Sequence, residues 1–297
     1  MENEPLDLTV LVVASPVKSH PSTRILDETL ESLKTHVNIE IGHPDVPFVI
    51  SHDGLSTFAP RYVRKDFEGY LDRVRDRYPH NTMVVRLPRR RGLTQNIANG
   101  LAHVATPFVL IVQHDLPFCS PVDFGGALAI MRSNEMVKHL RFNRFANDKA
   151  GWDAGVPPAL KMDPKIRSSF FREIEMSFGL KVMQTLNWSD NNHLTPVSYY
   201  PQVVFPVVGR RRIPPERAMI PLVTPENHPT FGTYVWGGAF ETAVISHSDG
   251  REFHTSILAR VLDRYNVLKR ARHAVRMQVW RMSYWASTQR FERFRRQ

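Results

Sequence analysis

One cysteine, Cys119, stands in 297 residues. No intramolecular disulfide is therefore available, nor a cysteine-based zinc or iron–sulfur site, and the chain is compatible with a reducing compartment. Long apolar runs are also missing. Nothing approaches the roughly 18 consecutive apolar residues of a membrane span. The N-terminus is acidic before the short run Leu8–Ala14, without the basic start and longer apolar stretch of a secretory signal. Internal repeats and low-complexity segments are absent. These absences lead us to expect a cytoplasmic protein, soluble or peripheral at a membrane.

What is present is an ordinary globular composition, 42% hydrophobic and 23% charged, in a chain long enough to bury a core without staples. The net charge of +10 is unevenly placed: residues 251–297 carry 12 Lys/Arg against 3 Asp/Glu, or +9 of it. Within this tail Val261, Tyr265, Leu268, Val275, Val279 and Met282 recur at helical steps, which predicts a basic amphipathic helix over 255–296. Its aromatics, Trp280, Tyr284, Trp285, Phe291 and Phe294, lie among many arginines. Packing on the rest of the chain or in a homo-oligomer ranks first for it, contact with an anionic membrane second and nucleic acid third.

The first 120 residues alternate between strand and helix patterns. Strands are predicted at Leu8–Ala14, 47–51, 82–87 and 108–112, and helices at 23–34 (capped by Ser22), 62–78 and 94–104 (capped by Thr94). This order implies an α/β fold with a mostly parallel, mixed sheet flanked by helices. Ligands in such sheets bind beyond the carboxyl ends of the strands, where Asp53 and Asp115 fall. From 141 to 229 the pattern weakens under many prolines; it predicts one helix over 164–187 and short strands near 197–208.

The strongest chemical signal runs from Thr94-Gln95-Asn96-Ile97-Ala98-Asn99-Gly100 through the apolar strand to Gln113-His114-Asp115. A helix rich in small residues packs on a buried strand that delivers a carboxylate to the cleft. A diphosphate needs a divalent cation to neutralise its oxygens, and a hard cation wants an oxygen ligand. The plain alternative is that Asp115 only caps the turn before Pro117. Asp53, in His52-Asp53-Gly54, has a turn reading as well.

Over residues 8–255 the sequence resembles the family-two glycosyltransferases of the GT-A fold. The resemblance is carried by Leu8–Ala14, by Asp53 ending the second strand, by Arg91 through Gly100 as an A-x-N-x-G-like helix, and by Asp115. It implies a nucleotide-diphospho-sugar pocket formed with Ala14, Asp53, Arg91, Asn96, His114 and Asp115, and a divalent cation, Mn²⁺ or Mg²⁺. The family's metal motif is Asp-x-Asp; here Gln113 replaces its first aspartate, so Asp115 alone carries over. By position, 75 residues after Asp115, Asp190 is the expected general base. His247 is the expected late metal ligand, with His254 and His193 as competitors, and Arg251 a phosphate contact. The implied activity is inverting transfer of a sugar to an acceptor hydroxyl on carbohydrate, lipid or protein. The implied organisation is a catalytic domain over 1–255, with a nucleotide-sugar half (1–120) and an acceptor half (121–255), followed by the extension 256–297. Two readings compete. A nucleotidyltransferase would want a glycine-rich phosphate loop after the first strand, and residues 15–24 contain no glycine. A non-enzymatic nucleic-acid or membrane binder would rest on the tail alone, and no zinc-finger or RNA-binding signature accompanies it.

Overall fold

The computed structural model describes residues 7–17, 19–78, 81–147, 170, 172–176, 179–209, 213–239 and 241–248. The predicted extension 256–297 and Arg251 lie outside the described residues. Strand β1 (Leu8–Ala14) is buried along its whole length. Its alternate side chains enter two separate cores: Leu8, Val10 and Val12 on one face, Leu11 and Val13 on the other. A strand covered on both faces must be apolar at every position, which is why Leu8–Ala14 is an unbroken apolar run rather than an alternating one.

Four strands are parallel, in the order β3 (Thr82–Arg86), β2 (Phe48–His52), β1, β4 (Phe108–Gln113). Helix α1 (Arg24–Ser32) buries Ile25, Leu26 and Leu30, and α2 (Arg61–Arg77) buries Phe67, Tyr70, Leu71 and Val74, both in the core on one face. Helix α3 (Leu93–Leu101) lays Ile97 and Leu101 on the opposite face. Helix α4 (Phe124–Ser133) returns to the first face through Phe124, Ala127, Leu128 and Met131.

Beyond β4 the sheet continues with β5 (His139–Arg141), β6 (Glu173–Glu175), β7 (Lys181–Gln184), β8 (His193–Pro196) and β9 (Thr233–Trp236), giving the order β3-β2-β1-β4-β8-β5-β9-β7-β6. The sheet is mixed, with most strands running the same way, as expected. In this half only β5 and β9 run parallel, and every other pairing beyond β4 is antiparallel.

Three local expectations are corrected. The helix expected over 164–187 does not continue through the described part of that segment, where only Phe170 is α-helical. There Val182 and Met183 pair with β9 and with β6, and Gly179 sits at a φ of +71° that a helix cannot accommodate. The strands expected near 197–208 are instead a wide turn of helix, Tyr200–Val204, running into the short helix Phe205–Val208. Tyr200, Val203, Val204, Val207 and Val208 share one buried side, so a three-and-four periodicity was hidden among prolines and β-branched residues. Of the two predicted hydroxyl caps, Ser22 reaches the first turn of α1, its Oγ accepting from Arg24 N (3.3 Å), while Thr94 caps nothing. Thr23 is the N-cap of α1, and Gly92, at φ +88°, that of α3. Thr94 lies inside α3 and is buried.

Candidate active site

The end of β4 is held from both sides. The His114 amide donates to the Val13 carbonyl (3.1 Å), and the Thr29 hydroxyl donates to the His114 carbonyl (2.7 Å). Residues 244–248 then run antiparallel to 115–119. Cys119 N donates to Val244 O (2.8 Å), Ser246 N to Pro117 O (2.9 Å) and Ser248 N to Asp115 O (2.9 Å). This pairing brings His247 Nε2 to 3.6 Å from Asp115 Oδ2 across 132 positions of sequence. Both side chains remain partly open to solvent, 27% for His247 and 28% for Asp115. His114 is buried, with Nδ1 3.8 Å from Asp115 Oδ1. Burial holds its imidazole below the usual range, and Asp115 pulls in the other direction.

Asp115 and His247 form a mixed oxygen and nitrogen pair, a donor set that suits Mn²⁺-like ions. Among the described residues no third His, Cys, Asp or Glu joins them to complete a protein cage. Asp115 and His247 would fit a cation that takes its remaining ligands from outside the protein.

Asp190 lies in the loop between β7 and β8. Two neighbours outside the predicted set position it. The Gln113 carboxamide donates to Asp190 O (2.7 Å) and Asp190 Oδ1 (3.4 Å), while the Gln113 amide donates to Asn192 Oδ1 (2.9 Å). Glu216, in the first turn of the short helix Pro215–Met219, accepts through Oε1 from the Asp190 amide (3.2 Å) and from the Ser189 hydroxyl. Burial first, and the Glu216 carboxylate second, push the Asp190 carboxyl well above the usual carboxylate range.

Asp53, Ala14, Asn96 and Arg91 form a separate, tightly wired unit. Asp53 Oδ1 accepts from Gly54 N (2.9 Å) and Arg91 N (2.7 Å), and Oδ2 accepts from Gly92 N (2.9 Å). Its own amide donates to Ala14 O (2.9 Å). The Asn96 carboxamide donates to Ala14 O (2.8 Å) and Ser51 O (3.0 Å) and accepts from Ser51 Oγ (2.8 Å). Asn96 and Ala14 are therefore buried scaffold at the strand ends. Asp53 clamps the turn that leads into α3, and Arg91 is half-buried at that turn.

The end of β4 thus gathers Asp115, His114 and His247, with Asp190 joined to it through Gln113. Gln113 could have been singled out from sequence, since it occupies the place of the missing first aspartate. Nothing marked Glu216, 26 residues beyond Asp190. A cavity of about 610 Å³ lies elsewhere, lined by Asp27, Glu31, Lys34, Arg77, Tyr78 and Phe118 and by none of the predicted site residues.

No protein-family model and no curated protein matches the chain. Solved structures of similar shape include S. aureus TarS, at 12% identity and TM-score 0.43 over 81% of this chain and 36% of that one. The mannosyltransferase PcManGT from Pyrobaculum calidifontis, solved with GDP-Man and Mn²⁺, is similar at 10% identity and TM-score 0.45 over 84% of this chain and 59% of that one. Glucosyl-3-phosphoglycerate synthase from Mycobacterium tuberculosis, solved with Mn²⁺, UDP and glucosyl-3-phosphoglycerate, is similar at 12% identity and TM-score 0.45, over 85% and 74% of the two chains. The chain therefore spans about a third of TarS and about three-fifths of the mannosyltransferase.

Proposed function

We propose that this chain transfers a sugar from a nucleoside-diphosphate donor to an acceptor hydroxyl, with inversion, aided by a divalent cation. The observation that carries the proposal is the meeting of Asp115 and His247 at the end of β4, with Asp190 tied to the same strand end through Gln113. A cation held by Asp115 and His247 would supply charge neutralisation for the leaving diphosphate. Asp190 accepts the proton of the acceptor hydroxyl, and burial together with the Glu216 carboxylate raises its affinity for that proton. The freed oxygen attacks the anomeric carbon in line with the departing diphosphate, which inverts the configuration. Gln113 holds Asp190 at a fixed distance from the metal pair, the kind of orientation on which effective molarity depends. Asp53 shapes the pocket by fixing the turn before α3.

The test is a thermal-shift series of UDP- and GDP-sugars with and without Mn²⁺. A ligand that binds only the folded state raises the melting temperature. At least one nucleotide-sugar should do so only when Mn²⁺ is present, and D115N and H247A should lose that response while keeping their unliganded melting temperatures. If no nucleotide gives a metal-dependent rise, the reading is wrong.

A further inference from the structure

A second surface, sharing no residue with the Asp115–His247 pair, is built from three segments tied to one another. The Arg64 guanidinium donates to Thr57 O (2.7 Å) and Ala59 O (3.0 Å), fastening the first turn of α2 to the loop 54–60. Arg90 N donates to Leu55 O (2.9 Å), fastening the turn 88–91 to the same loop. On this joined face Phe58 is 92% exposed and Tyr62 68%, the two barest aromatic side chains among the described residues. Around them Arg61, Arg64, Lys65, Arg89 and Arg90 are all exposed. Among the described residues no carboxylate forms an ion pair with Arg61, Lys65, Arg89 or Arg90.

We propose that this face docks on an anionic lipid surface, with Phe58 and Tyr62 entering the headgroup boundary and the basic side chains held at its phosphates. The charge is complementary to such a surface, whose potential attracts clustered Lys and Arg over about a Debye length. A free polyphosphate would draw on the cations and leave the phenyl ring in water; a bilayer also receives the ring, since aromatic residues favour the interface. The surface is built from segments of the sequence other than the basic stretch 251–297 and does not depend on the transfer chemistry. It does have a bearing on it: Asp53 clamps Arg91 and Gly92, at the end of the same turn, so docking sets the rim of the sheet's carboxyl end beside the membrane.

The full chain should float with phosphatidylcholine vesicles containing phosphatidylglycerol, and not with phosphatidylcholine alone, in a salt-sensitive manner. The double variants F58S/Y62S and R89A/R90A should each lose on the order of tenfold in partitioning while keeping the wild-type melting temperature. Unchanged flotation of both variants would overturn the proposal and give the lipid contact to the tail. So would loss of single-stranded oligonucleotide binding in the variants when no vesicles are bound. As a second readout, F58C in a C119S background carries a polarity-sensitive fluorophore. Its emission should shift to the blue on adding the anionic vesicles, and an unmoved spectrum would sink the idea.

Discussion

Gln113 performs a task that an aspartate at the same place could not. Where the resembling motif carries its first aspartate, a carboxamide donates to the Asp190 backbone and carboxylate. An aspartate could not donate there and would set a third negative charge beside Asp190 and Glu216. The carboxyl pair Asp190–Glu216 predicts a pH effect. Glu216 is the second cause, after burial, of the raised Asp190 pKa, so E216Q, which keeps the Oε1 acceptor for Ser189 and Asp190 N, should move Asp190's titration to lower pH. Carboxyl carbon NMR of wild type and variant reads this directly, and the acid limb of the rate–pH profile should move in the same direction. If neither moves, Glu216 is not a cause of the raised Asp190 pKa. Q113A should lower kcat by on the order of tenfold or more through misplacement of Asp190, with less effect on KM.

At the scale of elements, the turn 88–92 and helix α3 depend on a carboxylate supplied by the neighbouring strand. Three backbone N–H groups converge on Asp53, and bonds to a charged acceptor are the stronger kind. D53A should therefore cost about 2–4 kcal/mol in urea denaturation, well beyond an ordinary cap loss of about 1 kcal/mol; a loss no larger than that would show the clamp to be incidental. Gly54 makes the close approach possible. A Cβ there would lie 2.4 Å from Leu87 O and 2.5 Å from Arg89 C, both backbone atoms. G54A should displace the turn and destabilise by about 1–3 kcal/mol. The paired readings of Asp53, turn residue and pocket residue, are thus not alternatives at this scale: its turn role is what the hydrogen bonds describe, and any contact with a nucleotide is made from that fixed position.

For the whole molecule, pH stability follows from histidines sealed in the core. Burial lowers His52 to about 3 and His193 to about 4, from 6.5. The unfolded chain takes these protons as pH falls through 6.5, while the folded chain refuses them until about 3 to 4. Stability is therefore full above pH 6.5 and declines below it, by on the order of 2 kcal/mol for each ring by about pH 5. Urea midpoints measured from neutral pH downward should fall steadily, and H52F should flatten the curve; a flat wild-type profile would contradict the burial of these rings. The sequence by itself determined the parallel half of the sheet, because strands covered on both faces need the continuous apolar runs of β1 and β4, and α1 to α3 carry a clear helical period. It also offered Asp115 and Asp190 as candidates, because residue type and order along the chain are local facts. Only the tertiary structure decided the rest. Strands of three or four residues such as β5, β6 and β7 are too short to show a period, and their pairing is chosen by partners distant in sequence. His247 reaches Asp115 through an antiparallel zipper, and Glu216 and Gln113 reach Asp190 through hydrogen bonds, none of which spacing along the chain records.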